Sequence, residues 1–275
     1  MLCYHRIGGP LELGVTRLAR GVFERQMRAL AQRGWRTLTL AQFAARVEAR
    51  ARAAAPRDGE REFLLTFDDG YASLGDQAYP VLADVGFTAV TFLVTDHVGG
   101  TNTWDARYTW RRLQHLRWGE IEHWQARGLE FGSHTATHGR LTWLDDRRAA
   151  DELRRSRETL MRRLGPSAGR ALAYPFGAWN DRIVGLAGAA GYALGFGGVA
   201  GEGPPLAVPR VPVYAWDRGA TPLGLRRDAL GAAGRVAAHV ANRCAVATTV
   251  MLKMLGERRS KGRSGEPGAV RDGDT

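Results

Sequence analysis

The chain has 275 residues, enough to bury a large core, and an α/β barrel of about 200–250 residues commonly forms one domain. Its 44% hydrophobic and 24% charged content excludes a disordered or membrane-embedded class. A formal net charge of +11 favours approach to phosphates, anionic lipid headgroups or acidic glycans without naming one. Much of the arginine falls along helical segments, as at Arg147, Arg148, Arg154 and Arg155, where a solvated basic face is the simpler reading. No aromatic-interleaved basic patch points to nucleic acid. The two cysteines, Cys3 and Cys244, form no C-x-x-C pair, so neither a thiolate zinc site nor a disulfide framework is indicated.

In chain order, Leu2-Cys3-Tyr4-His5 reads as core strand directly after Met1, with no leader of signal-peptide length. The chain as given is therefore expected in the cytoplasm, with an exported protein whose start site is mis-assigned as the alternative. Phe23, Met27, Leu30 and Ala31 recur at helical spacing before Gly34, and Thr39-Leu-Ala-Gln42 has the form of a capping box opening a second helix. After a loop over 53–61, Glu62 to Phe67 reads as one apolar strand ending in Asp68-Asp69-Gly70.

A helix over Ala78 to Val85 then leads to Phe87–Val94, β-branched and apolar on both faces as buried parallel strands are. A polar loop carrying Trp104 and Trp110 and a helix to Arg127 precede the strand Leu129–Ser133, with His134 just past its end. Asp145 to Leu164 is a charged helix stopped by Gly165-Pro166, Ala171–Tyr174 a short strand, Asn180–Ala190 a helix, Tyr192–Phe196 a strand, and Pro209–Val213 the closing strand. This alternation predicts a parallel barrel over residues 1–220 followed by a helical extension over 221–255 and a disordered tail over 256–275. The extension is alanine-rich, yet Arg226, Arg227, Arg235, His239, Arg243 and Lys253 interrupt it too often for a transmembrane span. Helices packed on the barrel are expected there, with a basic helix lying on a membrane surface as the sharper alternative.

Three motifs sit where predicted strands end: Thr66-Phe-Asp68-Asp69-Gly70-Tyr71, Ser133-His134-Thr-Ala-Thr-His138 and Tyr174-Pro175-Phe176-Gly177. In parallel α/β proteins the loops at those ends converge on one mouth. Two adjacent carboxylates can divide labour, one binding a cation and the other facing substrate. Two imidazoles four residues apart can meet one ion if the chain turns helically after the strand, and with one carboxylate they make a donor set that suits zinc first, with iron, cobalt or manganese open. Such an ion polarises a carbonyl and acidifies water, which amide hydrolysis needs.

These motifs, in this order, resemble the polysaccharide deacetylase family, the NodB-type fold of carbohydrate esterase family four. The similarity spans Leu2 to Val213, and Cys3-Tyr4-His5-Arg6-Ile7 resembles the opening of the poly-N-acetylglucosamine deacetylase branch. The resemblance implies a distorted (β/α)₇ barrel and zinc-assisted N-deacetylation of an amino sugar or polysaccharide, in exopolysaccharide or cell-envelope metabolism. It implies Asp68 as the general base, Asp69, His134 and His138 as metal ligands, His5 as the acid at the leaving amine, and the Phe176 amide at the oxyanion. Many relatives carry an arginine where Ala173 stands, and Arg210 matches an arginine recurrent in the permuted branch that can replace it. Arg210, Tyr174, Trp179 and Asn180 are the substrate-contact candidates; core packing competes for the aromatic ones, and a buried structural role competes for His5. His97, His115, His123 and His239 are read as structural. An esterase or amidase on another acylated substrate, or an inactive glycan-binding barrel, are the alternatives, and an N-acetylated glycan is the expected partner.

Overall fold

The structure, a computed structural model, describes residues 1–9, 16–51, 61–102, 112–198, 203–226, 230–234 and 236–237. Its main strands are β1 (Leu2–Tyr4), β2 (Leu65–Phe67), β3 (Val90–Leu93), β4 (Glu130–Ser133), β5 (Ala171–Ala173), β6 (Leu194–Phe196) and β7 (Val211–Pro212). Among the described residues they form one parallel sheet in the order β6-β5-β4-β3-β2-β1-β7. Val208 makes a parallel bridge to Phe196 of β6, and Val211 three residues later pairs with Leu2 of β1. The last segment thus spans the two edges of a curled sheet, giving the distorted seven-stranded barrel that the family resemblance implied.

Helices cover the outside: α1 (Arg20–Gln32), α2 (Leu40–Ala51), α3 (Ser73–Gln77), α4 (Tyr79–Asp84), α5 (Trp118–Gln125), α6 (Asp146–Leu164) and α7 (Asp181–Ala189). On α1, Phe23, Met27 and Leu30 lie on one face and are fully buried, each contributing about 1.5–3 kcal/mol by leaving water. The capping box ahead of α2 is present in both directions: Thr39 N donates to Gln42 Oε1 (2.9 Å) and Gln42 N to Thr39 Oγ1 (3.2 Å). Asp145 caps α6 by accepting from Arg148 N, and Gly165 ends it at φ 90°, a conformation that costs glycine little.

Two local readings change. The strand expected over Glu62 to Phe67 divides at Leu64: Glu62–Phe63 pairs with Arg36–Thr37 outside the barrel, and only Leu65–Phe67 enters the main sheet. Arg36–Thr37 is too short to leave a periodic signal. The helix expected over Ala78 to Val85 is preceded by a separate short helix, α3, that begins three residues after Gly70. Beyond the barrel, Leu223–Leu225 form a single 3₁₀ turn and residues 230–234 are helical. The rest of the extension from 238, including His239, Arg243 and Lys253, the tail, and Trp104 and Trp110 lie outside the described residues. No helix among the described residues is long and apolar enough to cross a membrane.

Candidate active site

The carboxyl ends of the strands gather the three motifs on one rim, and backbone geometry there departs from the ordinary. Among the described residues, four non-glycine residues have positive φ: Asp69 (69°), Thr135 (68°), His138 (64°) and Phe176 (61°). All four belong to the three motifs. Left-handed geometry costs a non-glycine residue roughly 1–3 kcal/mol and persists only where surrounding structure enforces it, which is typical of working sites.

At Asp69 the enforcing element is a tight three-residue turn. Gly70 N donates to Asp68 O (2.9 Å) across Asp69, so Asp69 is the central residue of the rare, strained form of γ-turn. Gly70 follows at φ 72°, and a Cβ there would stand 2.6 Å from Leu93 Cδ2, so a side chain at that position would be both strained and crowded. The turn swings the two neighbouring carboxylates apart: Asp68 faces Arg210, and Asp69 faces the histidines. His115 steadies it by donating from Nδ1 to Asp69 O (2.8 Å), and burial chiefly lowers this imidazole's pKa to about 4, leaving it neutral.

His134 and His138 do not converge through a helical turn, as their spacing had suggested. The segment bends instead, with side-chain hydroxyls replacing helical bonds: Thr135 N donates to Ser133 Oγ (3.1 Å) and His138 N to Thr135 Oγ1 (3.1 Å). Glu152 of α6, itself buried, accepts from Thr137 N (2.8 Å) and Thr137 Oγ1 (2.7 Å), clamping the bend to the helix. His134 Nδ1 donates to Ala173 O (2.8 Å), which assigns the ring proton and turns the lone pair of Nε2 toward Asp69.

Asp69 Oδ1 lies 3.6 Å from His134 Nε2 and 3.4 Å from His138 Nε2, and all three side chains are buried. Burial first of all holds both imidazoles below their ordinary pKa, so they are neutral donors. A lone pair of His134 facing a carboxylate oxygen at this separation is repulsive unless positive charge lies between them. Two donors each about 2.0–2.1 Å from a tetrahedral ion stand about 3.3 Å apart, close to what is observed. The residues present therefore fit a divalent cation, with Asp69, His134 and His138 as the three donors.

Asp68 lies beside this cradle in a different environment. Arg210 grips it bidentately, Nη1 to Oδ1 and Nη2 to Oδ2 at 2.7 Å each, and a further Nη1 contact reaches Thr66 Oγ1 (3.1 Å). Burial alone would raise the pKa of Asp68, but the Arg210 guanidinium holds it well below the usual carboxylate range. The guanidinium is 5% exposed and lies over the Phe92 and Phe196 rings, so Arg210 has no free face for substrate. Of its two sequence readings, partner of the carboxylate replaces substrate contact.

Cys3 donates to Asp68 Oδ2 (3.4 Å), and half-buried His5 stands near both, at the end of β1. Cys3, His5 and Asp68 also offer three ligand atoms within 4.8 Å of one another. A cation there would meet the Arg210 guanidinium across the same carboxylate, so this cluster is not a metal cradle. Cys3 and Glu152 escaped the sequence reading, though signals existed. Cys3 and His5 share a face through the two-residue period of a strand, and Glu152 is a carboxylate on the buried stripe of α6 with Ala149, Leu153 and Ser156.

Phe176 is half-buried, with a left-handed backbone (φ 61°, ψ 12°) and its ring 4.8 Å from that of His138. The other substrate-contact candidates each have a structural role. Tyr174 is fully buried and donates its hydroxyl to Leu206 O (2.7 Å), a core tyrosine with a satisfied polar end. Asn180 is the N-cap of α7, accepting from Ile183 N (3.0 Å). Trp179 packs half-buried beside Tyr174 and Gly197, with its remaining surface open.

Comparison with known proteins identifies the family and supports the fold. The family model described as polysaccharide deacetylase matches residues 55–195, just over half of the chain. The chain is 27% identical over 195 residues to YxkH of Bacillus subtilis, provisionally named a polysaccharide deacetylase, covering 71% of this chain and 62% of that protein. It is 30% identical over 131 residues to the poly-beta-1,6-N-acetyl-D-glucosamine N-deacetylase of Staphylococcus epidermidis, covering 44% of this chain and 43% of that one. The chain thus spans less than two thirds of the length of either curated relative. IcaB from Ammonifex degensii superposes with a TM-score of 0.63 at 26% identity, covering 77% of this chain and 90% of that chain. The Streptococcus pyogenes deacetylase PplD, solved with acetate, superposes at 0.64 with 22% identity, covering 78% and 92%, and supports the fold.

Proposed function

Because the chain belongs to the polysaccharide deacetylase family, we propose that it hydrolyses the N-acetyl amide of an amino sugar or its polymer, with a divalent ion held by Asp69, His134 and His138. The observation that carries this reading is the buried cradle of one carboxylate and two neutral imidazoles beside a second carboxylate that takes no part in it. Zinc is the first ion to test, since imidazole and carboxylate donors suit it. When bound, such an ion polarises the acetyl carbonyl and makes water a better acid.

The protein's own groups then divide the remaining work. Asp68 is anionic at any working pH under the grip of Arg210, and so weak a base can take a proton only from water already acidified. Asp68 accepts that proton as the water oxygen bonds to the acetyl carbon. The Phe176 N–H donates to the oxyanion that develops on the carbonyl oxygen. His5, half-open at the end of β1, gives a proton to the sugar nitrogen as the C–N bond breaks, leaving acetate and a free amine. The amide substrate is favoured by the relative that is 30% identical over 131 residues and is named for N-deacetylation of a poly-N-acetylglucosamine.

Acetate release from N-acetylglucosamine oligosaccharides, before and after dialysis against a chelator, tests this. The rate should fall to background on chelation and return when zinc is added. Undiminished release by metal-free protein contradicts the metal reading, and release from O-acetylated xylan with none from the oligosaccharides makes the protein an esterase.

A further inference from the structure

The geometry points to Cys3 as a positioning residue that selects which oxygen of Asp68 accepts the proton. This inference rests on the reading of Asp68 as base. A carboxylate oxygen has two in-plane lone pairs. Oδ2 receives Arg210 Nη2 at 2.7 Å and the Cys3 thiol at 3.4 Å, which occupies both. Oδ1 receives only Arg210 Nη1 at 2.7 Å among the described residues, which leaves one lone pair for a proton. The basic atom is therefore Oδ1, and the thiol closes the alternative.

Two further observations fit. The thiol has one proton; its contact to Asp68 Oδ2 is 3.4 Å and that to its neighbour's carbonyl, Tyr4 O, 3.8 Å, and the shorter goes to the charged oxygen, which attracts it more strongly. Cys3 is also held rigidly: it is 4% exposed, pairs with Thr66 and Pro212 in the flanking strands, and its carbonyl accepts from Val213 N (2.8 Å). Burial raises the thiol's pKa, so it stays a proton donor. A thiol suits this place because it is a weak donor: it fills a lone pair and orients the carboxylate without adding a second strong bond that would drain its basicity.

Three variants and one spectrum test this. Cys3→Ala and Cys3→Val, which lose the donor at smaller and larger volume, should lower kcat about tenfold with KM and zinc content unchanged, as expected for a lost hydrogen bond to a charged group. Cys3→Ser, which restores a donor, should recover kcat to within about threefold of the parent. In the intact protein carrying Cys244→Ser, the infrared S–H band should lie below that of a free thiol and move up in Asp68→Asn, a readout that needs no variant at Cys3 to fold. Parent-like kcat in both Cys3→Ala and Cys3→Val, equal losses in all three variants, or an S–H band at the free position overturns the inference while leaving Asp68 as base. Full activity in Asp68→Asn removes the base and this inference together.

Discussion

Asp68→Asn is expected to lower acetate release by about 10²–10⁴-fold while zinc content stays that of the parent, the range a positioned general base contributes. Asparagine keeps the shape and removes the proton acceptor. The separation of effects follows from the γ-turn at Asp69, which points the two carboxylates in different directions, so the cradle survives a change at its neighbour. Asparagine can offer one oxygen to the Arg210 fork, leaving one buried N–H opposite an NH₂ group, so a loss of about 1–3 kcal/mol in stability should accompany the change. Denaturant midpoints measured beside kcat separate the two effects. A variant that folds, binds zinc and releases acetate at the parental rate takes the base role away from Asp68.

Arg210→Ala is expected to destabilise the fold by about 3–5 kcal/mol, because it leaves the Asp68 carboxylate buried without its bidentate partner. Packing adds to the loss, since the guanidinium also covers Phe92 and Phe196. Arg210→Lys keeps the charge without the planar fork and should fall between the two, with kcat reduced because the carboxylate is no longer held in one plane. Urea unfolding monitored by tryptophan fluorescence reads the stability term. A midpoint within error of the parent for Arg210→Ala would show that Asp68 finds another partner.

The sequence revealed the barrel and the three motifs for a physical reason: parallel strands buried on both faces are short apolar runs, and each ends abruptly where polar chemistry begins. Asp68, Asp69, His134 and His138 each stand within a few residues of such an end, and the structure brings all four onto one rim. Periodicity says which side of a strand a residue occupies but not how the chain bends after it. The left-handed backbone at Asp69, Thr135, His138 and Phe176 was therefore illegible, and a helical turn was expected where hydroxyls and Glu152 shape a bend. Arg210 lies 142 residues from Asp68 in the chain, so only the resemblance hinted at the pair that the folded barrel makes at 2.7 Å. Tyr174, singled out by a motif, and Asn180, by a loop near the mouth, both follow local rules as well: Tyr174 packs inward with its hydroxyl on Leu206 O, and Asn180 caps α7.

The most direct test is elemental analysis of zinc-loaded, gel-filtered protein, comparing the parent with His134→Ala. One zinc per chain is expected in the parent, and the variant should lose it, since even outer-shell partners of such ligands are worth about 10–100-fold in affinity. One zinc per chain retained by His134→Ala, or none held by the parent, would contradict the convergence of Asp69, His134 and His138 on a single ion.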